Sequence, residues 1–258
     1  MKIKNKILTV LMGLGLTACG PNAPAADEYG QLIFEDDFTQ DGGLQGYTVN
    51  NESALPKIQA QDGRYYAPVF DNPNDVTLHF NQKQGRLDAQ KVTFPFTVVV
   101  RNIGIGLIDD SQAVPPHAGE PYIFAGVQVH TQDLNERTSA HVVVGHRGNH
   151  YSTVEGKNTL KGYSWVTDVG QNKVPDARAD LLIQGLPDKT LKVFWQPPNL
   201  TPDATPDRWI AYNGQGHLPG DKPTFTDEVY VGLITYAAGD NGIPFVGTAD
   251  SWHLYKKD

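Results

Sequence analysis

The feature that most restricts this chain is a recurrence of short apolar runs, alternating or nearly so and closed by turn residues. No amphipathic helical stripe interrupts them after Tyr29. Runs at 31–38, 64–70, 75–80, 91–101 and 122–130 are followed by others at 141–147, 163–167, 179–184, 190–195, 228–236 and 251–256. Alternation places successive side chains on opposite faces of a strand, so each run needs a second layer to cover its apolar face. Asp62-Gly63, Asn213-Gly214 and Asp240-Asn241-Gly242 supply turn residues that tolerate positive φ. The 26 Gly and 18 Pro agree with many turns and argue against a helical bundle. One all-β domain, a sandwich or barrel, is the expected result. Pro95 inside the run 91–101 predicts an edge strand or a bulge. Two longer irregular stretches, 104–121 and 197–207, are either ordered surface excursions or loops that serve a site.

The N-terminus has a different character. Lys2, Lys4 and Lys6 precede an apolar run from Ile7 to Leu16, and Thr17-Ala18-Cys19-Gly20 follows. A basic start and a short apolar run form a secretory signal, too short to span a bilayer that needs about 20 apolar residues. Leu16-Thr17-Ala18-Cys19 resembles the lipobox of bacterial lipoproteins. That resemblance implies a signal peptide over 1–18, diacylation of Cys19 and a membrane-anchored mature chain beginning there. Gly20, rather than Asp, after the cysteine implies the outer membrane as destination. Residues 19–28 then read as a flexible tether, and 29–258 as the folded domain. Cys19 is the sole cysteine, so no disulfide within the chain is expected. The net charge of −8 argues against nucleic acid as a partner, because counterion release needs a cationic surface.

Within the domain, Leu32-Ile33-Phe34-Glu35-Asp36-Asp37-Phe38 opens the strand series, and Phe124-Ala125-Gly126-Val127-Gln128-Val129-His130 stands in its middle. Val229-Tyr230-Val231-Gly232-Leu233-Ile234-Thr235 and Ala249-Asp250-Ser251-Trp252-His253-Leu254-Tyr255 close it. This order resembles the concanavalin A-like lectin/glucanase superfamily in its laminin-G-like branch. The resemblance implies a jelly-roll β-sandwich of two antiparallel sheets. It also implies that first and last strands lie side by side, bringing Glu35, Asp37 and Asp250 together as oxygen ligands suited to a structural calcium ion.

Candidate binding residues follow from the same alternation. Gln128 and His130 fall on the face opposite Val127 and Val129, and His141, Val143, Gly145 and Arg147 share one face of the next run. If His141 pairs with His130, Arg147 joins that face. Tyr230, Ile234 and Tyr236 share another, with Gly232 leaving a gap for a ligand. Solvated or sugar-contacting roles suit His130, His141, His146 and His150 better than a metal centre, since their spacing matches no metal signature. Of Tyr163, Trp165, Trp195, Trp209, Tyr212 and Tyr236, most are expected in the core and one or two on a binding face. Polar side chains beside rings point to carbohydrate or another surface polymer, held by Gln128, His130, Arg147, Tyr230 and Tyr236. Gln128-Val129-His130 also resembles the Gln-x-His pair of alginate-lyase-type enzymes, which implies an alternative: a polysaccharide lyase using Gln128, His130, Arg147 and Tyr236. The accompanying Arg-rich strand of those enzymes is missing, and so is the carboxylate-bearing strand of the glycosidases. A third reading is a structural or protein-binding envelope component.

Overall fold

The computed structural model of the chain describes residues 21–70, 86–117, 122–148, 151–166, 172–238 and 244–258. In chain order the strands are β1 (Gln31–Asp36), β2 (Thr48–Asn50), β3 (Gln59–Gln61), β4 (Arg64–Val69), β5 (Leu87–Thr93) and β6 (Phe96–Gly106). Next come β7 (Tyr122–Thr131), β8 (Ser139–Arg147), β9 (Tyr151–Leu160), β10 (Tyr163–Val166) and β11 (Arg178–Gly185). The series ends with β12 (Leu191–Gln196), β13 (Ile210–Ala211), β14 (Glu228–Ala238), β15 (Phe245–Ala249) and β16 (Ser251–Lys256). Helix is confined, among the described residues, to short 3-10 turns. The expected run 75–80, the signal and lipobox residues with Cys19, His150 and the turn at 240–242 lie outside the described residues.

Two antiparallel sheets face each other. One has the order β13-β12-β11-β6-β15-β4-β3, with β16 pairing β6 and β1 pairing β16. The other runs β10-β9-β8-β7-β14-β5-β2. Their facing sides form one continuous core: Val98, Val100, Ile103 and Ile105 of β6 meet Val127 and Val129 of β7, Val142 and Val144 of β8, and Val231 and Leu233 of β14. This is the expected all-β sandwich. The first and last strands pair as expected, with Glu35 opposite His253 and Asp36 opposite Trp252.

Several local expectations are corrected. The run 91–101 is two strands in different sheets, because Pro95 lies in the crossover between β5 and β6 rather than inside a strand. Strand β6 stays in the ladder by a bulge at Arg101-Asn102, where Asn102 adopts φ 48°. Beyond that bulge its partner changes from β16 to β15. Part of the expected tether is packed: Ala26–Glu28 forms a 3-10 turn, Ala25 N–H donates to the Glu28 carboxylate, and Tyr29 is buried. Tyr29 joins Val99, Leu182 and Phe194 on the outer face of the larger sheet, with Ala23 and Trp209 against them.

The irregular stretch 197–207 is an ordered excursion fastened by charge. Arg101 reaches Asp180 at 3.0 Å and Asp207 at 2.8 Å. Buried Asp180 also accepts from Asn102 N–H, Gln196 Nε2 and Asn199 N–H at 2.8–3.0 Å. Each of these donors ties a different part of the chain to β11.

A second buried ion pair lies between the sheets. Arg86 and Asp88 approach to 2.9 Å, the Tyr65 hydroxyl donates to Asp88, and Arg86 donates to the Leu55 carbonyl. Burial raises the Asp88 pKa and the Arg86 guanidinium opposes that rise. Removing the cation alone strands the carboxylate in the core. Arg86→Met is expected to destabilise the fold by about 3–5 kcal/mol in denaturant titrations, and Arg86→Met with Asp88→Leu to recover much of that loss. A single variant as stable as the parent would show that Asp88 finds another partner.

Candidate functional site

The candidate binding residues lie on the outer face of the smaller sheet. Because directly opposed residues share a face, the ladder lines up rows across the strands. One row joins Lys157, His141, Gln128 and Gly232 from β9, β8, β7 and β14; the next joins Glu155, Val143, Gly126 and Ile234. A third contains Thr153, Gly145, Phe124 and Tyr236, and a fourth Tyr151, Arg147 and Tyr122. His130 falls in the row of Ser139 and Tyr230. The alternation assigned to Gln128, His130, His141, Arg147, Tyr230 and Tyr236 therefore holds, and these residues do lie on one face.

The register differs from the expected one. His141 stands opposite Gln128, and His130 stands opposite Ser139. His146 belongs to the other face, where its ring bonds Ser152 and the Pro115 carbonyl and stacks on His117. None of these histidines is solvated: His130, His141 and His146 are all buried. Burial lowers the pKa of His130 and pushes that of His141 well below the usual range, with Lys157 adding to the second shift. Both rings are neutral at pH 7. Gly232 leaves no gap for a ligand, since a Cβ there would meet the Asp88 carbonyl at 2.3 Å and Ala89 Cα at 2.6 Å. It lets β14 approach β5.

Strand β9 brings two residues that sequence reasoning missed, Glu155 and Lys157. Glu155 is fully buried and ion-pairs with Arg147. Burial raises its pKa against the pull of Arg147, and burial lowers the Lys157 pKa to about 8 against the pull of Glu155. Tyr236 lies over both an apolar patch and this polar cluster. Its ring contacts Phe124 and stacks on His141 at 5.5 Å, with Val143 and Ile234 beside it. Arg147 covers the ring of Tyr122 at 5.3 Å.

Five atoms on this face are buried without a protein hydrogen-bond partner: His130 Nε2, His141 Nε2, Glu155 Oε1 and the Tyr236 hydroxyl, with Asn50 Nδ2 at the far edge on β2. Because His130 Nδ1 faces the Thr131 carbonyl and must donate to it, His130 Nε2 is a bare acceptor. Glu155 Oε1 is an acceptor too while the carboxylate is ionised. Each such atom costs roughly 1–3 kcal/mol while unmade. The cluster is therefore rich in acceptors awaiting donors, next to flat apolar rings.

The remaining candidates scatter. Trp195 and Tyr212 are in the core, Trp165 and Trp209 are half-buried, and Tyr163 is 73% exposed at the edge strand β10. Glu35 and Asp37 lie by the end of β1, where Asp37 sits 3.5 Å from His253. Asp250 faces Arg64 at 2.9 Å and accepts from Asn102 Nδ2 at 2.9 Å. Among the described residues no three His, Cys, Asp or Glu side chains converge as metal ligands. A calcium ion at Asp250 would have to displace the Arg64 guanidinium.

Neither a protein-family model nor a curated protein matches the sequence. Solved structures do resemble it. A functionally unknown protein from Saccharomyces cerevisiae is similar at TM-score 0.57 and 12% identity, over 84% of this chain and 100% of that one. A GH43 protein from Bacillus licheniformis gives TM-score 0.52 at 10% identity, over 92% of this chain and 40% of that one. A xylan β-1,4-xylosidase from Bacillus halodurans gives 0.50 at 12% identity, over 92% and 41%. The chain thus spans about two fifths of those two proteins. At such identities the likeness is one of fold: the chain has the β-sandwich that also occurs within proteins of the glycoside hydrolase class.

Proposed function

We propose that this chain is a lipid-anchored cell-envelope lipoprotein whose sandwich binds a glycan on the outer face of the smaller sheet. The observation that carries the binding reading is the set of unpartnered buried atoms on Glu155, His130, His141 and Tyr236 beside the rings of Tyr122, Phe124 and Tyr236. A sugar offers what that surface lacks, since each hydroxyl donates and accepts while the C–H face of the ring lies on aromatic carbon. The fold's occurrence within a xylosidase and a GH43 protein supports a carbohydrate ligand by analogy. Gln128, His141, Tyr236, Glu155 and Arg147 are the residues assigned to contact it. Tyr230 and His130 lie one row further along.

A glycosidase using two carboxylates fits the face poorly. Glu155 is paired with Arg147, and Glu228 of the same face is paired with Lys91. Glu228 lies six residues along β14 from the Glu155 row, about 20 Å at the rise of a strand, against the about 5–5.5 Å that retaining chemistry uses. The stack of His141 on Tyr236 beside Gln128 favours a lyase as the second reading, with His141 in the place first given to His130. Burial drives the Tyr236 pKa well above its usual value, so the phenol serves as a base only when a bound ligand lowers it.

Tyr236→Phe removes a hydroxyl that has no protein partner. It is expected to melt no lower than the parent yet to bind glycans roughly three- to tenfold more weakly, read by calorimetry against a glycan selected from an array. Unchanged affinity would remove Tyr236 from the site. A rise in absorbance from an unsaturated product on uronate polymers would replace simple binding by the lyase. Cys19→Ser is expected to release the protein from membranes, and mass spectrometry of the parent to show an acylated Cys19. An unmodified terminus elsewhere would end the anchor reading. Because Arg64 and Asn102 already occupy Asp250, the melting temperature is expected to be the same in chelator and in millimolar calcium. A clear rise with calcium would restore the metal site of Glu35, Asp37 and Asp250.

A further inference from the structure

The segment that joins the domain to Cys19 is short and already fastened to the sandwich. Pro21 lies beside Gly216, its Cγ 3.8 Å from the place a Cβ on that glycine would take. Gly216 in turn accepts from Val193 N–H of β12. Ala23 packs with Tyr29, Val99, Leu182 and Phe194, and residues 22–26 share a groove with Pro202, Pro206 and Trp209. Cys19 stands two peptide units before Pro21, so covalent geometry holds the two Cα atoms within about 7.6 Å of each other. A group attached to Cys19 is therefore attached beside β12 and β13, which close the larger sheet on that side. The smaller sheet ends on the same side with β9 and β10, where Trp165 packs on Gly220 and Gly156 gives way to Tyr212 and Leu218.

Exposed apolar side chains gather along this edge. Tyr163 on β10, Ile210 on β13 and Leu200 in the loop between β12 and β13 all reach solvent, with Trp165 and Trp209 half-buried beside them. The opposite edge is formed by β2 and β3; across the smaller sheet it lies six strand spacings away, about 29 Å. We propose that the β10/β13 edge rests on the bilayer that holds the Cys19 lipid, with Tyr163, Leu200 and Ile210 among the phospholipid headgroups. This rests on the lipid-anchor reading above and adds the surface that meets the membrane. An exposed tyrosine and half-buried tryptophans suit that depth, where a ring finds apolar carbon on one side and water on the other. The acyl chains supply the anchoring energy, so the edge has only to favour one orientation. Seated on this edge, the sandwich keeps the candidate glycan face clear of the bilayer.

The test uses the full-length acylated chain in phosphatidylcholine vesicles whose headgroups carry a nitroxide quencher. Cys19 is the sole cysteine and is blocked by its lipid in that form, so one introduced cysteine takes one fluorophore. Labels at Tyr163→Cys and Ile210→Cys are expected to be strongly quenched, and the label at Val49→Cys on the opposite edge to keep its intensity. Equal quenching at all three positions overturns the seat while leaving the anchor standing, because a freely swinging domain favours no edge. Quenching at Val49→Cys alone overturns it as well. A parent chain that does not associate with vesicles overturns both. Tyr163→Asp with Leu200→Asp, both exposed changes, is expected to leave the melting temperature and vesicle association unaltered while removing most of the quenching of the label at Ile210→Cys. Retained quenching there overturns the assignment of those side chains to the membrane contact.

Discussion

The structure depends on a strand's obligation to serve two faces at once. In the smaller sheet β7, β8, β9 and β14 turn Val127, Val129, Val142, Val144, Val154, Val231 and Leu233 inward, and the sandwich is held by that burial. The residues between them cannot join the core, because the pleat sends them the other way. They are Gln128, His130, His141, Glu155, Lys157 and Tyr236, and they are buried as well. A sheet that buries apolar residues on one side and titratable ones on the other is an expensive construction. The expense falls on the side that has no part in joining the two sheets.

The larger sheet solves its outer face differently. There Val99, Leu182, Phe194 and Tyr29 form an apolar patch covered by Ala23 and Trp209. The loop 197–207 is strapped down through Arg101, Asp180 and Asp207. Every carboxylate oxygen in that strap faces a donor, so its polar atoms are matched. Matched charge of that kind stabilises a conformation and asks nothing of a ligand. The stretch 197–207, which the sequence left open between a surface excursion and a loop serving a site, thus separates from the polar face once partners are counted.

Much of the fold was legible because period-2 runs with turn residues at their ends leave few alternatives. The failures have physical causes. Strand β9 was missed because Val154 is its one large aliphatic residue facing the core, while Gly156 gives way there to Tyr212 and Leu218. With β9 missing, Glu155 and Lys157 had no assigned face. The parity of Gln128, His141, Arg147 and Tyr236 could be read from alternation alone, but their register could not. A shift that moves His141 from His130 to Gln128 preserves every inward and outward assignment, since it displaces the pairing by two residues. Residues 228–238 misled in one detail: Gly232 looked like space for a ligand and is space for the β5 backbone. The Arg64–Asp250 pair joins positions 186 residues apart, and nothing local in sequence announces it.

Whether the polar face is a site or a structural polar core turns on free energy rather than on resemblance. A structural network earns its place by satisfying its members, as the strap at Asp180 does. The cluster around Glu155 leaves four atoms without partners, and at roughly 1–3 kcal/mol each that is comparable with the whole stability of an ordinary domain, about 5–15 kcal/mol. Leu, Phe and Met at these positions would fill the same volume and remove the penalty. Retaining His141, Glu155 and Tyr236 together, in adjoining rows of one face, is therefore hard to explain by folding alone. Groups that are poorly matched to one another, rigidly placed and flanked by apolar rings are matched to something else. Their acceptors call for hydroxyl donors.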